Sequence, residues 1–258
     1  MLELLSAIIL AIIQGITEWL PVSSSGHLII AEKILNYQSD LTFNVALHFG
    51  TLMSVFVYFG KDITDIFQDL LKFKFHTEDG KLGLFLCIAT IPAGLIGVIF
   101  KDAFESIYTN LSIVALGFGI TGLILLITSL NFRIKEAKLN AKNSFIIGFS
   151  QILSIFPGIS RSGTTISAGI LLGLNEKTAL KFSFLMSIPI IFGANIITIG
   201  NQTLPPELIW ATLVSFIIGL LFLHLMYKHI LTSRKNLRWF GIYALLLALI
   251  IGIYLTFK

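Results

Sequence analysis

Apolar residues along this chain fall in long unbroken blocks, not in the alternating patterns of half-buried strands or amphipathic soluble helices. Six blocks approach the roughly 20 residues that a helix needs to cross a bilayer: 42–59, 82–100, 112–130, 177–199, 207–227 and 238–257. Two other stretches behave differently. Residues 4–20 run into Pro21 and the polar cluster Ser23-Ser24-Ser25-Gly26-His27, then resume to about Leu35. Residues 144–156 run into Pro157-Gly158 and Ser160-Arg161-Ser162-Gly163-Thr164-Thr165, then resume to about Leu174. Each is an apolar arm, a proline-containing polar break and a second apolar arm. The arms are too short to span comfortably, so each stretch is expected to enter and leave the membrane on one side as a re-entrant helical hairpin.

The two breaks superpose with one inserted residue, and three spanning blocks follow each hairpin. An odd number of spans per half turns the second half upside down relative to the first. The expectation is an all-α polytopic membrane protein, one membrane domain over 1–258. Its six transmembrane helices and two re-entrant hairpins form an inverted-topology repeat, with halves of approximately 1–130 and 131–258.

Charge tests this layout. Loops 60–81, 131–142 and 228–238 fall on one side and hold twelve of the 18 Lys and Arg residues; the other side holds Lys33, Lys101 and Lys258. Arg161, Lys177 and Lys181 lie in or beside the second hairpin. The basic side is expected to be cytoplasmic, so the first hairpin enters from the outer face and the second from the cytoplasmic face. Composition agrees with a lipid solvent. The chain is 55% hydrophobic and 12% charged, against about 25% charged in soluble domains. A formal charge of +4 comes without a basic stripe interleaved with aromatics, so nucleic acid is not an expected partner. Cys87, the one cysteine, excludes a disulfide and reads as packing. The first residues lack the positive region of a cleavable signal and are expected to remain.

Ionisable groups at membrane depth cost about 2.5–3.5 kcal/mol each on insertion scales and call for a reason. Glu18, His27 and Arg161 all sit in or beside the breaks, which points to one shared site. The second arms begin with Ser23, Ser24 and Ser25 in one hairpin and Ser160, Ser162 and Thr165 in the other. Such helix starts offer unpaired N–H groups and the positive end of a helix dipole. With Gly26 and Gly163 allowing close approach and Arg161 supplying a charged fork, they make an anion cradle suited to phosphate. Glu18 has the wrong sign for such a ligand unless a divalent cation, Mg²⁺ or Ca²⁺, bridges the two. Gln14, one helical turn earlier, is the candidate second metal ligand. His27 suits a nucleophile or an acid/base toward a serine or the leaving phosphate.

The stretch from Gln14-Gly15-Ile16-Thr17-Glu18 through Pro21-Val22-Ser23-Ser24-Ser25-Gly26-His27 resembles the first signature of the undecaprenyl-diphosphate phosphatase family, the bacitracin-resistance BacA type. Pro157 to Thr165 resembles its second signature, and Asn44 to Thr51 also reads like that family. The resemblance implies removal of the terminal phosphate from a C55 isoprenoid diphosphate, recycling the lipid carrier of peptidoglycan synthesis. It also implies residence in the bacterial cytoplasmic membrane with the site facing outward. The family's functional positions fall on Glu18, Ser24, His27, Ser160, Arg161 and Thr165. Gln14 stands where the family often has glutamate, which leaves a two-carboxylate metal clamp incomplete. Ser24 and His27 both remain candidates for the nucleophile.

Blander readings compete. Ser23, Ser25, Ser162 and Thr164 also serve as caps, and Arg161 also serves as an ion-pair partner for Glu18. His48 and His224 read as packing or lining, Trp19 as an anchor or wall, and Asp62, Asp65 and Asp69 as a solvated amphipathic segment. A transporter or flippase for a phosphorylated lipid would use the same inverted-repeat cradle, but has little use for a Ser/His pair beside a metal-binding glutamate. Oligomeric state is not legible in the sequence.

Overall fold

The apolar blocks fold as helices, and short polar side chains set where several of them begin. The computed structural model describes residues 2–37, 39–130, 132–199 and 206–257, and every regular element among them is helical. In chain order they are α1 (Leu2–Thr17), α2 (Ser24–Leu35), α3 (Leu41–Tyr58), α4 (Gly60–Leu71), α5 (Glu78–Ile99), α6 (Lys101–Ile107) and α7 (Leu111–Ser129). After these come α8 (Ala141–Ser150), a 3₁₀ turn (Gln151–Ile155), α9 (Arg161–Leu171), α10 (Glu176–Ile199), α11 (Pro206–Leu225), a π turn (Met226–Ile230), a second 3₁₀ turn (Arg234–Asn236) and α12 (Leu237–Thr256). Ser23, Asp40, Thr77, Asn110, Asn140 and Ser160 each accept a first-turn N–H of the helix that follows, each cap being worth about 1 kcal/mol.

Four helical stretches among the described residues are long and apolar enough to cross a membrane: Glu78–Ile99, Leu111–Ser129, Leu208–Ile230 and Arg234–Thr256. Thr42–Tyr58 and Gly60–Leu71 would together make a fifth, bent by 83° at the junction. Leu95, Leu116, Ile217 and Ile250 stand more than half exposed on these helices, as lipid-facing side chains do. The chain is an integral, multi-pass membrane protein. The block at 177–199 also folds as one helix, α10, with Glu176, Lys177 and Lys181 near its start. Cys87, read from sequence as packing, is instead exposed on α5. Lys258 lies outside the described residues.

Helix α7 packs along α12 and α3 along α11, while α1 lies on α11 and α8 lies on α5. Small residues allow the last two approaches. A Cβ on Gly15 would sit 2.7 Å from Ile218 Cβ, and one on Gly148 would fall 2.0 Å from Ala89 O. These contacts bring the ends of α1 and α8 into the interior, so that both breaks lie among buried residues.

Each break has its own cause. Pro21 has no N–H to continue α1, and Ser23 turns the chain through φ 67° before its hydroxyl caps α2. In the second stretch α8 tightens into the 3₁₀ turn before Pro157. Gly158 then takes φ +88°, where a Cβ would lie 2.3 Å from Val114 O. Thr121 of α7 pins this break from outside the hairpin: its hydroxyl donates to Gly158 O (3.0 Å) and accepts from Ser160 N (2.9 Å).

Candidate active site

The two breaks touch. Ser162 Oγ donates to Leu20 O at 3.1 Å, and the Cβ positions of Gly26 and Gly163 would lie 3.1 Å from Gly158 Cα and 3.3 Å from Pro21 O. The glycines expected to admit a ligand therefore admit protein. A Cβ on Gly26 would also meet Phe118 at 2.6 Å, and the Gly26 and Gly163 N–H groups are taken by the caps Ser23 and Ser160.

Glu18 follows α1 and is buried. Arg161 opens α9 and donates from Nη2 to Glu18 Oε1 at 2.7 Å and from Nη1 to Ser183 O at 3.2 Å. The guanidinium carbon lies 5.6 Å from the centroid of the Trp19 ring, so Trp19 is a wall under the cation. The other carboxylate oxygen, Oε2, accepts from Ser24 Oγ at 2.6 Å and from Gln14 Nε2 at 3.0 Å. His48 Nδ1 lies 3.3 Å from the same oxygen and 2.9 Å from Gln14 Nε2. The carboxylate thus holds one group from each hairpin's second arm and one from α3.

A cavity of about 520 Å³ opens over this constellation. Its polar wall holds Glu18, Ser23, Ser24, Ser25, His48, Ser160, Arg161 and Ser162, and its apolar wall comes from α5 and α10, with Ala93, Val98, Ile190 and Ile191. The first-turn N–H groups of Ser24, Ser25, Arg161 and Ser162 have no carbonyl within their own helices to reach. Two helix N-termini and a guanidinium therefore converge on one space, an arrangement that favours anions.

Five of the expected residues do not line this cavity. Gly26 and Gly163 are used in packing, as above. Gln14 is fully buried behind Glu18. Thr165 lies under the start of α9, where its hydroxyl donates to Arg161 O (2.8 Å) and shares a 2.6 Å contact with Ser183 Oγ. His27 is turned toward α12. Its Nδ1 is 2.7 Å from Ser23 O and its Nε2 is 2.8 Å from Tyr243 Oη, with the two rings stacked at 5.7 Å.

For a divalent cation the donor set is sparse but usable. No group of three or more His, Cys, Asp or Glu side chains converges among the described residues. Gln14 turns Nε2 to Glu18 Oε2 at 3.0 Å and leaves Oε1 buried without a partner, and Ser24 Oγ adds another oxygen beside the carboxylate. A hard cation takes oxygens of these kinds together with phosphate and water.

The chain matches the family described as Bacitracin resistance protein BacA over residues 7–250. It belongs to the BacA family. It is 40% identical over 246 residues to an undecaprenyl-diphosphatase of Thermosipho melanesiensis, covering 94% of this chain and 96% of that one. It is 37% identical over 253 residues to one of Methanococcus vannielii (96% and 99%), and 39% over 268 residues to one of Christiangramia forsetii (96% and 97%).

Within this BacA chain, sequence reasoning missed four residues that shape the site: Thr121, Gln151, Ser183 and Tyr243. Thr121, Ser183 and Tyr243 lie inside spanning blocks far from either break, and no local pattern points to them. Gln151 had a signal, an amide near the end of an apolar arm as Gln14 is. His48, read as packing or lining, does line the cavity.

Proposed function

We propose that this BacA chain hydrolyses undecaprenyl diphosphate to undecaprenyl phosphate and inorganic phosphate, recycling the lipid carrier of peptidoglycan synthesis and thereby giving bacitracin resistance. The observation that carries the reading is the continuous line Ser24 Oγ, Glu18, Arg161, with contacts of 2.6 and 2.7 Å, at the meeting of two helix starts. A carrier needs anion donors, but a serine hydroxyl held against a carboxylate beside them is the equipment of phosphoryl transfer.

In this reading the terminal phosphate lies against the N–H groups of Ser24, Ser25, Arg161 and Ser162, with the Arg161 guanidinium on its oxygens. Ser24 Oγ attacks the terminal phosphorus and its proton passes to Glu18. The bond to the bridging oxygen breaks, and undecaprenyl phosphate leaves. Water then attacks the phosphoserine, Glu18 returns its proton to Ser24 Oγ as the P–O bond breaks, and the phosphate leaves carrying both water protons, as dihydrogen phosphate. Glu18, Ser24 Oγ and Gln14 Oε1 would hold Mg²⁺ or Ca²⁺, which would supply charge neutralisation at the diphosphate. His27 serves as a positioning residue that ties the Ser23 turn to α12. Ser23 and Ser160 cap, Ser162 and Gly163 join the hairpins, and Thr165 steadies the backbone of Arg161.

The architecture completes the reading: six spans, two re-entrant hairpins and two inverted halves in the cytoplasmic membrane. Support comes from packing that exchanges the halves, α1 on α11 and α8 on α5. Support for the orientation comes from the basic segments, which gather at one end. Arg234 Nη2 donates to Phe132 O (2.8 Å), Ala137 N to Gly173 O (2.9 Å) and Lys181 Nζ to Asp62 Oδ1 (2.6 Å). These contacts support a reading in which the end of the second hairpin lies on the basic, cytoplasmic face and the cavity opens outward.

Purified protein in detergent should release phosphate from undecaprenyl diphosphate and stop when divalent metal is chelated. Glu18→Gln and Arg161→Ala should each abolish turnover in folded protein. Full activity in Arg161→Ala would overturn the reading.

A further inference from the structure

Gln151 is a buried, cavity-lining side chain whose two polar atoms both lack a hydrogen-bond partner among the described residues. The residue is 1% exposed, and neither Oε1 nor Nε2 has a hydrogen-bond partner among the described residues. It nevertheless lines the same cavity as Glu18, Ser24 and Arg161. Its backbone is well used: Ser154 Oγ donates to Gln151 O at 2.6 Å. The amide is therefore held at the first residue of the 3₁₀ turn with both ends unsatisfied.

Buried amides in folded proteins are almost always paired with protein, ordered water or a ligand. Packing alone would be served better by an apolar residue of the same shape, because an unsatisfied amide is a cost without a return. The chemistry of the site says what the partner is. The cavity gathers an anion by way of Arg161 and two helix starts, and a neutral amide adds two further N–H donors without competing with Arg161 for Glu18. Its position is complementary too. Gln151 comes from the wall that α8 and the 3₁₀ turn build against α5, whereas Ser24, Glu18 and His48 come from the first hairpin and α3. Gln14 occupies the matching place in the first hairpin, seven residues before Pro21 where Gln151 lies six before Pro157. Its own Oε1 is also buried and unpaired. The two arms thus deliver one incompletely satisfied amide each.

We infer that Gln151 is a substrate-binding residue whose Nε2 donates to a phosphate oxygen of the diphosphate, its Oε1 facing a water in the same cavity. The inference rests on the diphosphatase reading above, and its test separates the two. Methylenediphosphonate, a non-hydrolysable diphosphate, should raise the Tm of the wild-type protein. No shift at all would overturn the diphosphate site and this inference with it. Given that shift, Gln151→Leu should keep the Tm of the unliganded protein at or above wild type, since it removes two unsatisfied buried atoms. It should lose most of the ligand-induced shift and raise KM for farnesyl diphosphate by roughly tenfold with a smaller change in kcat. Gln151→Glu, which replaces the donor by a like charge, should raise KM further. A wild-type KM and ligand shift in whichever of these variants folds would make Gln151 a structural residue and sink the inference.

Discussion

Arg161 and Glu18 stand 143 residues apart in the chain and 2.7 Å apart in space. The pair joins the two breaks, and both side chains are largely buried, Arg161 14% and Glu18 6% exposed. Ion pairs in such places are often no more stable than an apolar pair of the same volume, yet removing one partner leaves a stranded charge.

That asymmetry separates stability from activity. Arg161→Ala should lower stability by about 3–5 kcal/mol, seen as a fall in Tm in a fixed detergent, and abolish phosphate release. The double variant Glu18→Gln with Arg161→Met should recover most of the Tm and none of the turnover. Recovered turnover would mean that the pair only holds the hairpins together.

Ser24 carries the next expectation. Its hydroxyl touches Glu18 Oε2 at 2.6 Å, whereas Ser23 Oγ is occupied as a cap on Gly26 N. Ser24→Ala should cut kcat by roughly a thousandfold or more with little change in Tm. Ser23→Ala should cost about 1 kcal/mol of stability and retain turnover. A serine-bound phosphate trapped from wild type and missing from Ser24→Ala, read by mass spectrometry, checks the covalent step directly.

Much of this was legible in the sequence because lipid imposes a simple rule. Apolar blocks must be helices, and polar interruptions such as 21–27 and 157–165 must have something to do. The breaks carried residue types that pointed to one shared site, and Glu18 and Arg161 met as their signs required. What sequence could not show was direction. His27 follows a serine run and looked poised for chemistry, but one turn of α2 points it at Tyr243 of α12. Gly26 and Gly163 looked like ligand clearance and proved to be clearance between hairpins. Thr121, whose hydroxyl closes two backbone bonds of the second break, lies in a uniformly apolar helix where one more threonine carries no signal.

The His27–Tyr243 contact yields a prediction of its own. With one ring nitrogen at Ser23 O and the other at Tyr243 Oη, His27 acts through the turn that places Ser24. Tyr243→Phe should cost about 1 kcal/mol of stability and lower kcat severalfold. The shape of the pH–rate profile should be unchanged in this variant and in His27→Gln. A missing limb of that profile in His27→Gln would identify the ring as an acid or base in the reaction.

Gln14 offers the sharpest test of the cation. Its amide already lies 3.0 Å from Glu18 Oε2, so Gln14→Glu would place a second carboxylate at hydrogen-bonding distance from the first. Two carboxylates so close repel unless a proton or a cation sits between them. Without metal, the variant should therefore be less stable than wild type. Mg²⁺ or Ca²⁺ should raise its Tm far more than wild type's, and half-maximal activity should require less metal, by roughly tenfold or more, because a charged ligand replaces a neutral one. Thermal unfolding across a metal titration reads the first effect without any turnover, and phosphate release reads the second. If neither responds to metal while Glu18→Gln is still inactive, Glu18 acts on Ser24 and Arg161 alone, and the site needs no cation.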